Sequence, residues 1–291
     1  MADIKSKNKR RFGRRLTQVL AALVYNANIP GYFTGRIYQG QSKGLCVPGL
    51  NCYSCPGAVG ACPLGSLQSE LAAGKRIPFY VIGMLLLFGA LLGRMICGFL
   101  CPFGLVQDLI DKIPLPKIKK SRFTRTLSYL KYAVLIVFVI WLPLWLMAKN
   151  GVGSPAFCKF ICPAGTLGAG IPLALLNEKL RAGLGWLFAL KVSILGAILI
   201  LSAFIYRPFC RFICPLGAIY SFFNRFALFG VAVDKERCTG CNACVRSCKM
   251  DVKNINSAEC IRCGECRSVC AFGAIYTKTP KTLFTKKEED K

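Results

Sequence analysis

The run Cys238-x2-Cys241-x2-Cys244-x3-Cys248 is followed by Cys260-x2-Cys263-x2-Cys266-x3-Cys270, the same spacing twice over. Thiolates so spaced hold iron–sulfur clusters, and in two-cluster ferredoxins the fourth cysteine of each run serves the other cluster. That groups Cys238, Cys241, Cys244 and Cys270 around one [4Fe–4S] cluster, and Cys260, Cys263, Cys266 and Cys248 around a second. The proline that usually follows each fourth cysteine is replaced by Lys249 and Ala271. A pair of zinc sites is the competing reading. The chain has 18 cysteines and no histidine, which excludes histidine-bound haem, Rieske-type clusters and His-containing zinc sites. The chemistry left is single-electron transfer.

The other ten cysteines lie upstream in apolar sequence, where the tetrapeptide Cys-Pro-x-Gly recurs at Cys62, Cys101, Cys162 and Cys214. In the last three copies another cysteine stands four residues earlier, at Cys97, Cys158 and Cys210. In the first copy that position is Ala58, with Cys46, Cys52 and Cys55 nearby. Proline disfavours the helical conformation for the residue before it and suits the first position of a new helix. Each second cysteine should therefore leave one helix and stand at the start of another. Free N–H groups and the helix dipole favour negative charge there, and a thiolate-held cluster is anionic.

Four uncharged runs must position these thiols. Residues 16–35, 77–93, 132–148 and 182–206 carry no charge except Lys191. A bilayer core takes about 20 helical residues, so four transmembrane helices are expected. Asn26, Asn28 and Pro30 make the first the weakest. The uncharged stretch 160–177 contains Pro163, Gly165, Gly168, Gly170 and Pro172, and reads as a re-entrant or surface segment. No cleavable signal sequence is evident. The domains expected are a basic start (1–15), a membrane domain (16–230), a ferredoxin domain (231–276) and a charged end (277–291). The fold class is an α-helical membrane protein with short interfacial helices plus a C-terminal α+β two-cluster ferredoxin.

A net charge of +26 is distributed over loops beside apolar spans, as membrane orientation requires, and does not point to nucleic acid. Seven Lys or Arg fall in the first 15 residues and six between Lys112 and Arg125. Both termini are therefore expected in the cytoplasm of a multi-pass protein of the cell membrane. Alternating spans then put Cys97, Cys101, Cys210 and Cys214 on the cytoplasmic side, enough thiolates for an inner cluster. Packing cysteines or a redox disulfide are the alternatives there. Cys46, Cys52, Cys55, Cys62, Cys158 and Cys162 fall on the outer side. An outer cluster would use Cys55, Cys62, Cys158 and Cys162, with Cys52 and Cys46 as alternates and a disulfide between the two left over. Disulfides alone are the alternative. Arg94, one turn before Cys97, can offset cluster charge or snorkel to the interface.

With these Cys-x3-Cys-Pro pairs ahead of a two-cluster ferredoxin, the chain resembles the NapH/NosR-type membrane-bound 4Fe-4S ferredoxins from about residue 16 to 276. These are four-helix proteins associated with quinol oxidation and respiratory electron transfer. Cys97/Cys101 and Cys210/Cys214 match the family's cytoplasmic motifs. The Cys46–Cys62 group and the Cys158/Cys162 pair are additional, so the chain is closer to the "4Fe-4S binding protein" branch of anaerobic bacteria.

The function expected is an electron relay through [4Fe–4S] clusters, two in the ferredoxin domain and one or two more in the membrane domain. A ferredoxin or flavoprotein would be the cytoplasmic donor, and a flavoprotein or reductase the extracytoplasmic partner, with one site near each face of a layer roughly 30 Å thick. It would be an electron-transfer subunit of an oxidoreductase system rather than a stand-alone enzyme. A quinol dehydrogenase subunit, using quinone from the membrane, and a redox assembly factor for another metalloenzyme are the alternatives.

Overall fold

The computed structural model describes residues 2–74, 77–118 and 120–280, with side chains from Phe12 onward. Most side chains of the basic start, and residues 281–291 of the charged end, lie outside that description.

The first helix runs Ala2–Tyr25. Arg14, Gln18 and Ala21, at one-turn spacing, form its buried stripe, while Leu16, Val19, Leu20, Leu23 and Val24 face outward. It ends where the Asn26 amide bonds back to the Ala22 carbonyl at 2.9 Å. Beyond it the chain turns, and the Asn28 side chain donates to the Pro56 carbonyl at 2.8 Å. The span expected at 16–35 is therefore helix in its first half and a loop cap in its second.

Among the described residues two helices are long and apolar enough to cross a membrane, Arg122–Asn150 with 29 residues and Trp186–Phe204 with 19. Only 28% and 22% of their apolar windows are buried. A core helix of a soluble protein would be mostly buried, so these faces suit lipid. Exposed Ile136, Trp141, Trp145, Trp186 and Ile200 lie on them. The helix Phe79–Leu92 has 14 residues, about 21 Å, short of a roughly 30 Å layer. The stretch expected to re-enter or lie on the surface forms the helix Pro163–Leu176, with a π-helical turn over Thr166–Gly170.

The four Cys-Pro steps share one conformation. Cys62, Cys101, Cys162 and Cys214 have φ from −85° to −60° and ψ from 107° to 126°, each with proline opening the next helix. Cys97, Cys158 and Cys210 sit on the preceding short helices Met95–Phe99, Ala156–Phe160 and Phe209–Ile213.

The ferredoxin module is closed by two antiparallel strands, Gly230–Val233 and Ile275–Lys278, paired from Gly230↔Lys278 to Val233↔Ile275. It docks on the membrane part through polar groups. The Asn224 amide donates to the carbonyls of Ser257 at 2.6 Å and Cys260 at 2.8 Å. Asp251 takes Arg125 at 2.9 Å and Arg211 at 2.8 Å.

Candidate metal centres

Cys97, Cys101, Cys210 and Cys214 are all buried in one core. Three kinds of donor surround them. The Gly104 N–H is directed at the Cys101 sulfur, and the Gly217 N–H lies 3.4 Å from the Cys214 sulfur. The Gln107 amide donates to the Cys210 sulfur at 3.1 Å and to the Phe103 carbonyl at 3.4 Å, while its Oε1 accepts the Phe209 N–H at 3.2 Å. Two arginines cross the site. Arg94 Nη2 reaches the Cys210 carbonyl at 3.2 Å, and Arg207 Nη1 reaches the Cys97 carbonyl at 2.5 Å.

Both arginines are buried and neutralised. Arg207 forks onto Asp108, with Nε–Oδ1 at 2.7 Å and Nη2–Oδ2 at 2.6 Å. Arg94 donates to Glu259 at 2.8 Å and to the Ala258 carbonyl at 3.1 Å, and Lys131 donates to the same carboxylate. Burial pushes the pKa of Asp108 up, but Arg207 and Arg14 hold it below the ordinary carboxylate value. Glu259 behaves alike: Arg94 and Lys131 outweigh its burial and keep it low. Arg94 is 0% exposed, so it does not snorkel; it bolts the ferredoxin module to the inner site.

The second group repeats this plan. The Gln68 amide donates to the Cys158 sulfur and the Leu64 carbonyl, both at 3.4 Å, and its Oε1 accepts the Phe157 N–H at 2.9 Å. The N–H groups of Gly65 and Gly165 are directed at the Cys62 and Cys162 sulfurs. Lys191 donates to the Cys158 carbonyl at 3.3 Å, the role the arginines take at the first site. Cys52, Cys62, Cys158 and Cys162 all line one cavity of about 730 Å³. A Cβ on Gly165 would meet the sulfurs of Cys52 at 3.5 Å and Cys162 at 3.8 Å. Cys52 thus occupies the quarter that Ala58 cannot fill.

Cys55, expected among the outer ligands, is in contact with Tyr32 Oη at 3.1 Å and Asn26 Oδ1 at 3.5 Å. Cys46 packs in the main core, Cys55 in a separate apolar group with Ala58 and Ala169. No disulfide joins any of the eighteen cysteines, and Cys46 and Cys55, one of the pairs that could be left over, lie in different packing groups.

The two groups adjoin. The Leu50 N–H is directed at the Cys101 sulfur and the Asn51 N–H at the Cys62 sulfur. Leu50 and Asn51 also line the cavity at Cys62, while a Cβ on Gly49 would stand 3.2 Å from the Cys101 Cα, so this loop packs against both groups.

In the tail, Cys248, Cys260, Cys263 and Cys266 line one cavity with Cys244. Cys238 and Cys241 are exposed, and Cys270 is half-buried. The Cys260 side faces the membrane part. A Cβ on Gly98, beside Cys97, would lie 2.6 Å from the Ile261 carbonyl.

These donor sets fit an anionic, thiolate-held cluster. Thiols gather without histidine, backbone N–H groups aim at sulfur, and Gly65 and Gly165 lie in van der Waals reach of the outer sulfurs. Among the described residues no group of three Cys, Asp or Glu converges tightly enough for a single metal ion. Zinc thiolates would stand about 3.8 Å apart, from Zn–S bonds of about 2.3 Å.

A model of a 4Fe-4S binding domain matches residues 77–121, 130–180 and 187–233, and another 4Fe-4S binding domain model matches 231–253. Each of the first three segments holds one Cys-x3-Cys-Pro pair. An uncharacterised protein of Methanocaldococcus jannaschii is 33% identical over 69% of this chain and 72% of its own length. The chain belongs to the NapH/NosR-type family of 4Fe-4S ferredoxins. The methylamine utilization ferredoxin-type protein MauN of Paracoccus denitrificans is 28% identical over 81% of the chain and 74% of its own length. The ferredoxin-type protein NapH of Haemophilus influenzae is 25% identical over 91% of the chain and 88% of its own. No solved structure matches the chain. It is a membrane-associated iron–sulfur electron-transfer protein that binds 4Fe-4S clusters.

Sequence reasoning passed over Gln68, Gln107 and Arg207. Each had a signal: the glutamines stand six residues after Cys62 and Cys101, and Arg94 and Arg207 stand three before Cys97 and Cys210. Glu259, Asn224, Leu50 and Asn51 carry no such pattern.

Proposed function

We propose that the chain is a four-cluster relay that moves single electrons from a cytoplasmic donor, through its ferredoxin module, into and across the membrane. Cys238, Cys241, Cys244 and Cys270 would hold the entry cluster, whose first two thiols are exposed. Cys248, Cys260, Cys263 and Cys266 would hold the cluster next to the membrane part. Cys97, Cys101, Cys210 and Cys214 would hold the inner membrane cluster, and Cys52, Cys62, Cys158 and Cys162 the outer one. The cavity at the outer set would then admit an acceptor from the far side. Both termini lie in the cytoplasm in this reading, and four segments enter the bilayer. The helices Arg122–Asn150 and Trp186–Phe204 cross it fully, while the first helix and Phe79–Leu92, with shorter apolar stretches, are accommodated by local thinning and snorkelling of flanking residues.

The observation that carries the outer cluster is the copied glutamine. Gln68 and Gln107 each join a cysteine sulfur, a carbonyl one turn back and the N–H ahead of that cysteine. A fully buried amide with all three bonds repeated implies the same ligand in both places. Each cluster supplies one-electron redox chemistry when bound; the chain orients the thiols, keeps water out and supplies N–H donors.

The test is iron and sulfide analysis of anaerobically purified protein, with EPR during stepwise reduction. About sixteen irons are expected, four per cluster. About twelve, unchanged by Cys158→Ser, would remove the outer cluster from the proposal.

A further inference from the structure

The loop between Cys46 and Cys62 does more than deliver ligands. Pro48 to Asn51 form a buried strap wedged between the inner and outer thiol groups. Tyr220 Oη donates to the Pro48 carbonyl at 3.0 Å. Gly49 lies so close to the inner site that a Cβ there would stand 3.0 Å from the Leu100 carbonyl and 3.2 Å from the Cys101 Cα. Leu50 and Asn51 are 4% and 5% exposed. The Asn51 amide fixes the far end by donating to the carbonyls of Tyr25 and Gly60, both at 3.2 Å.

Leu50 and Asn51 both line the outer cavity beside Cys62, and their successive N–H groups approach different sulfurs, Leu50 that of Cys101 and Asn51 that of Cys62. These N–H groups belong to two adjoining peptides joined at the Leu50 Cα. We propose that the Leu50 backbone is the electronic bridge between the two membrane clusters, coupling them through the bonds N–Cα–C–N and one N–H···S contact at each end. This rests on the relay reading above. One electron leaves the inner cluster and arrives at the outer; no bond forms or breaks and no proton moves. A side chain at Gly49 would press on the Leu100 carbonyl and the Cys101 Cα and shift the strap relative to Cys101.

The experiment uses the full chain, loaded anaerobically, and reads structure before rate. With asparagine labelled by nitrogen-15, the reduced outer cluster should show a nitrogen-15 hyperfine coupling from the Asn51 backbone. Its absence in the wild-type protein overturns the bridge, and this arm needs no variant to fold. In proteoliposomes, reduced ferredoxin outside then drives reduction of ferricyanide trapped inside. Gly49→Ala should keep about sixteen irons and slow transfer about tenfold, since displacing reacting groups by about 1 Å can cost up to about 100-fold. Ser42→Ala, which removes the bond from Ser42 Oγ to Tyr38 Oη at 3.2 Å just ahead of the loop without touching the strap, should leave the rate unchanged. An unchanged rate in Gly49→Ala, or an equal loss in Ser42→Ala, overturns the bridge while leaving the relay standing. A wild-type count of about twelve irons overturns relay and bridge together.

Discussion

Arg94 and Arg207 reach across the inner site to each other's half. Each stands three residues before a cysteine, and each donates to the carbonyl of the other's cysteine, Arg94 to Cys210 and Arg207 to Cys97. The glycine of the facing Cys-Pro-x-Gly turn makes room: a Cβ on Gly217 would lie 3.5 Å from Arg94 Nη2, and one on Gly104 3.3 Å from Arg207 Nη1. The inner site is thus a pseudo-two-fold pair of Arg-x2-Cys-x3-Cys-Pro-x-Gly units, locked by exchange of arginines. The outer site has the thiols and one glutamine of this plan, and Lys191 in place of the arginines.

Removing one of these charges should lower the inner cluster's potential, because reduction adds negative charge that the guanidinium stabilises. Arg94→Gln is the cleaner change, since Lys131 still answers Glu259. We expect a fall of about 60 mV, the one-electron equivalent of about 1.4 kcal/mol. An EPR-monitored titration measures it. A shift confined to the tail clusters would assign Arg94 to docking alone.

The glutamines predict site-selective effects. Gln107→Leu should lower the inner potential and leave the outer unchanged, and Gln68→Leu should do the reverse, because hydrogen bonds to sulfur raise cluster potentials. Each substitution also strands a buried N–H, that of Phe209 or Phe157, at a cost of about 1–3 kcal/mol. A global stability loss with both potentials unmoved would reduce the glutamines to scaffolding.

Cys52 and Cys55 separate ligand from neighbour. Cys52→Ser should lose or convert the outer cluster, lowering the iron count by up to about four. Cys55→Ser should leave the count intact, since its thiol is held by Tyr32 and Asn26. The opposite pattern in iron analysis would exchange the two assignments.

Asp108 carries a pH signature. Its folded-state pKa is depressed by Arg207 and Arg14 against the pull of burial. Its stabilising contribution is therefore complete above the unfolded value near ~3.9 and lost as pH falls through the lower folded value. Asp108→Asn strands a buried arginine and should cost about 3–5 kcal/mol at neutral pH. Thermal unfolding at stepped pH should show the gap to wild type constant from neutrality to about pH 5 and closing only below about pH 4.

The thiol inventory was legible because its chemistry is written in spacing: each Cys-Pro step must begin a new helix, and all four do, while Cys101, Cys162 and Cys214 also end one and Cys62 follows a loop. The helical membrane part and the tail module follow from composition in the same way. What spacing could not carry was depth. Alternation of spans separates Cys101 from Cys62 by side, yet the Pro48 to Asn51 strap packs against both groups. That depends on Tyr220 and Gly49, contacts remote in sequence. Choosing Cys52 over Cys55 had the same obstacle, since both precede Cys62 in one loop and only Gly165 and Tyr32 tell them apart.

The junction between ferredoxin module and membrane part rests on a missing side chain. Gly98 follows Cys97, and a Cβ there would lie 2.6 Å from the Ile261 carbonyl. A backbone oxygen cannot rotate away as a side chain can, so Gly98→Ala must push the module outward. The Arg94–Glu259 pair at 2.8 Å and the Asn224 bonds at 2.6 and 2.8 Å tether it, so the expected result is a displaced module, still attached. Cluster content and potentials should hold while electrons accumulate in the tail. In stopped-flow mixing with a reduced ferredoxin, the tail clusters should reduce at the wild-type rate and the membrane clusters about tenfold more slowly, a barrier increase of about 1.4 kcal/mol. Equal slowing of both phases would mean that the donor meets the membrane clusters directly, and that the contact between Gly98 and Ile261 is not on the path.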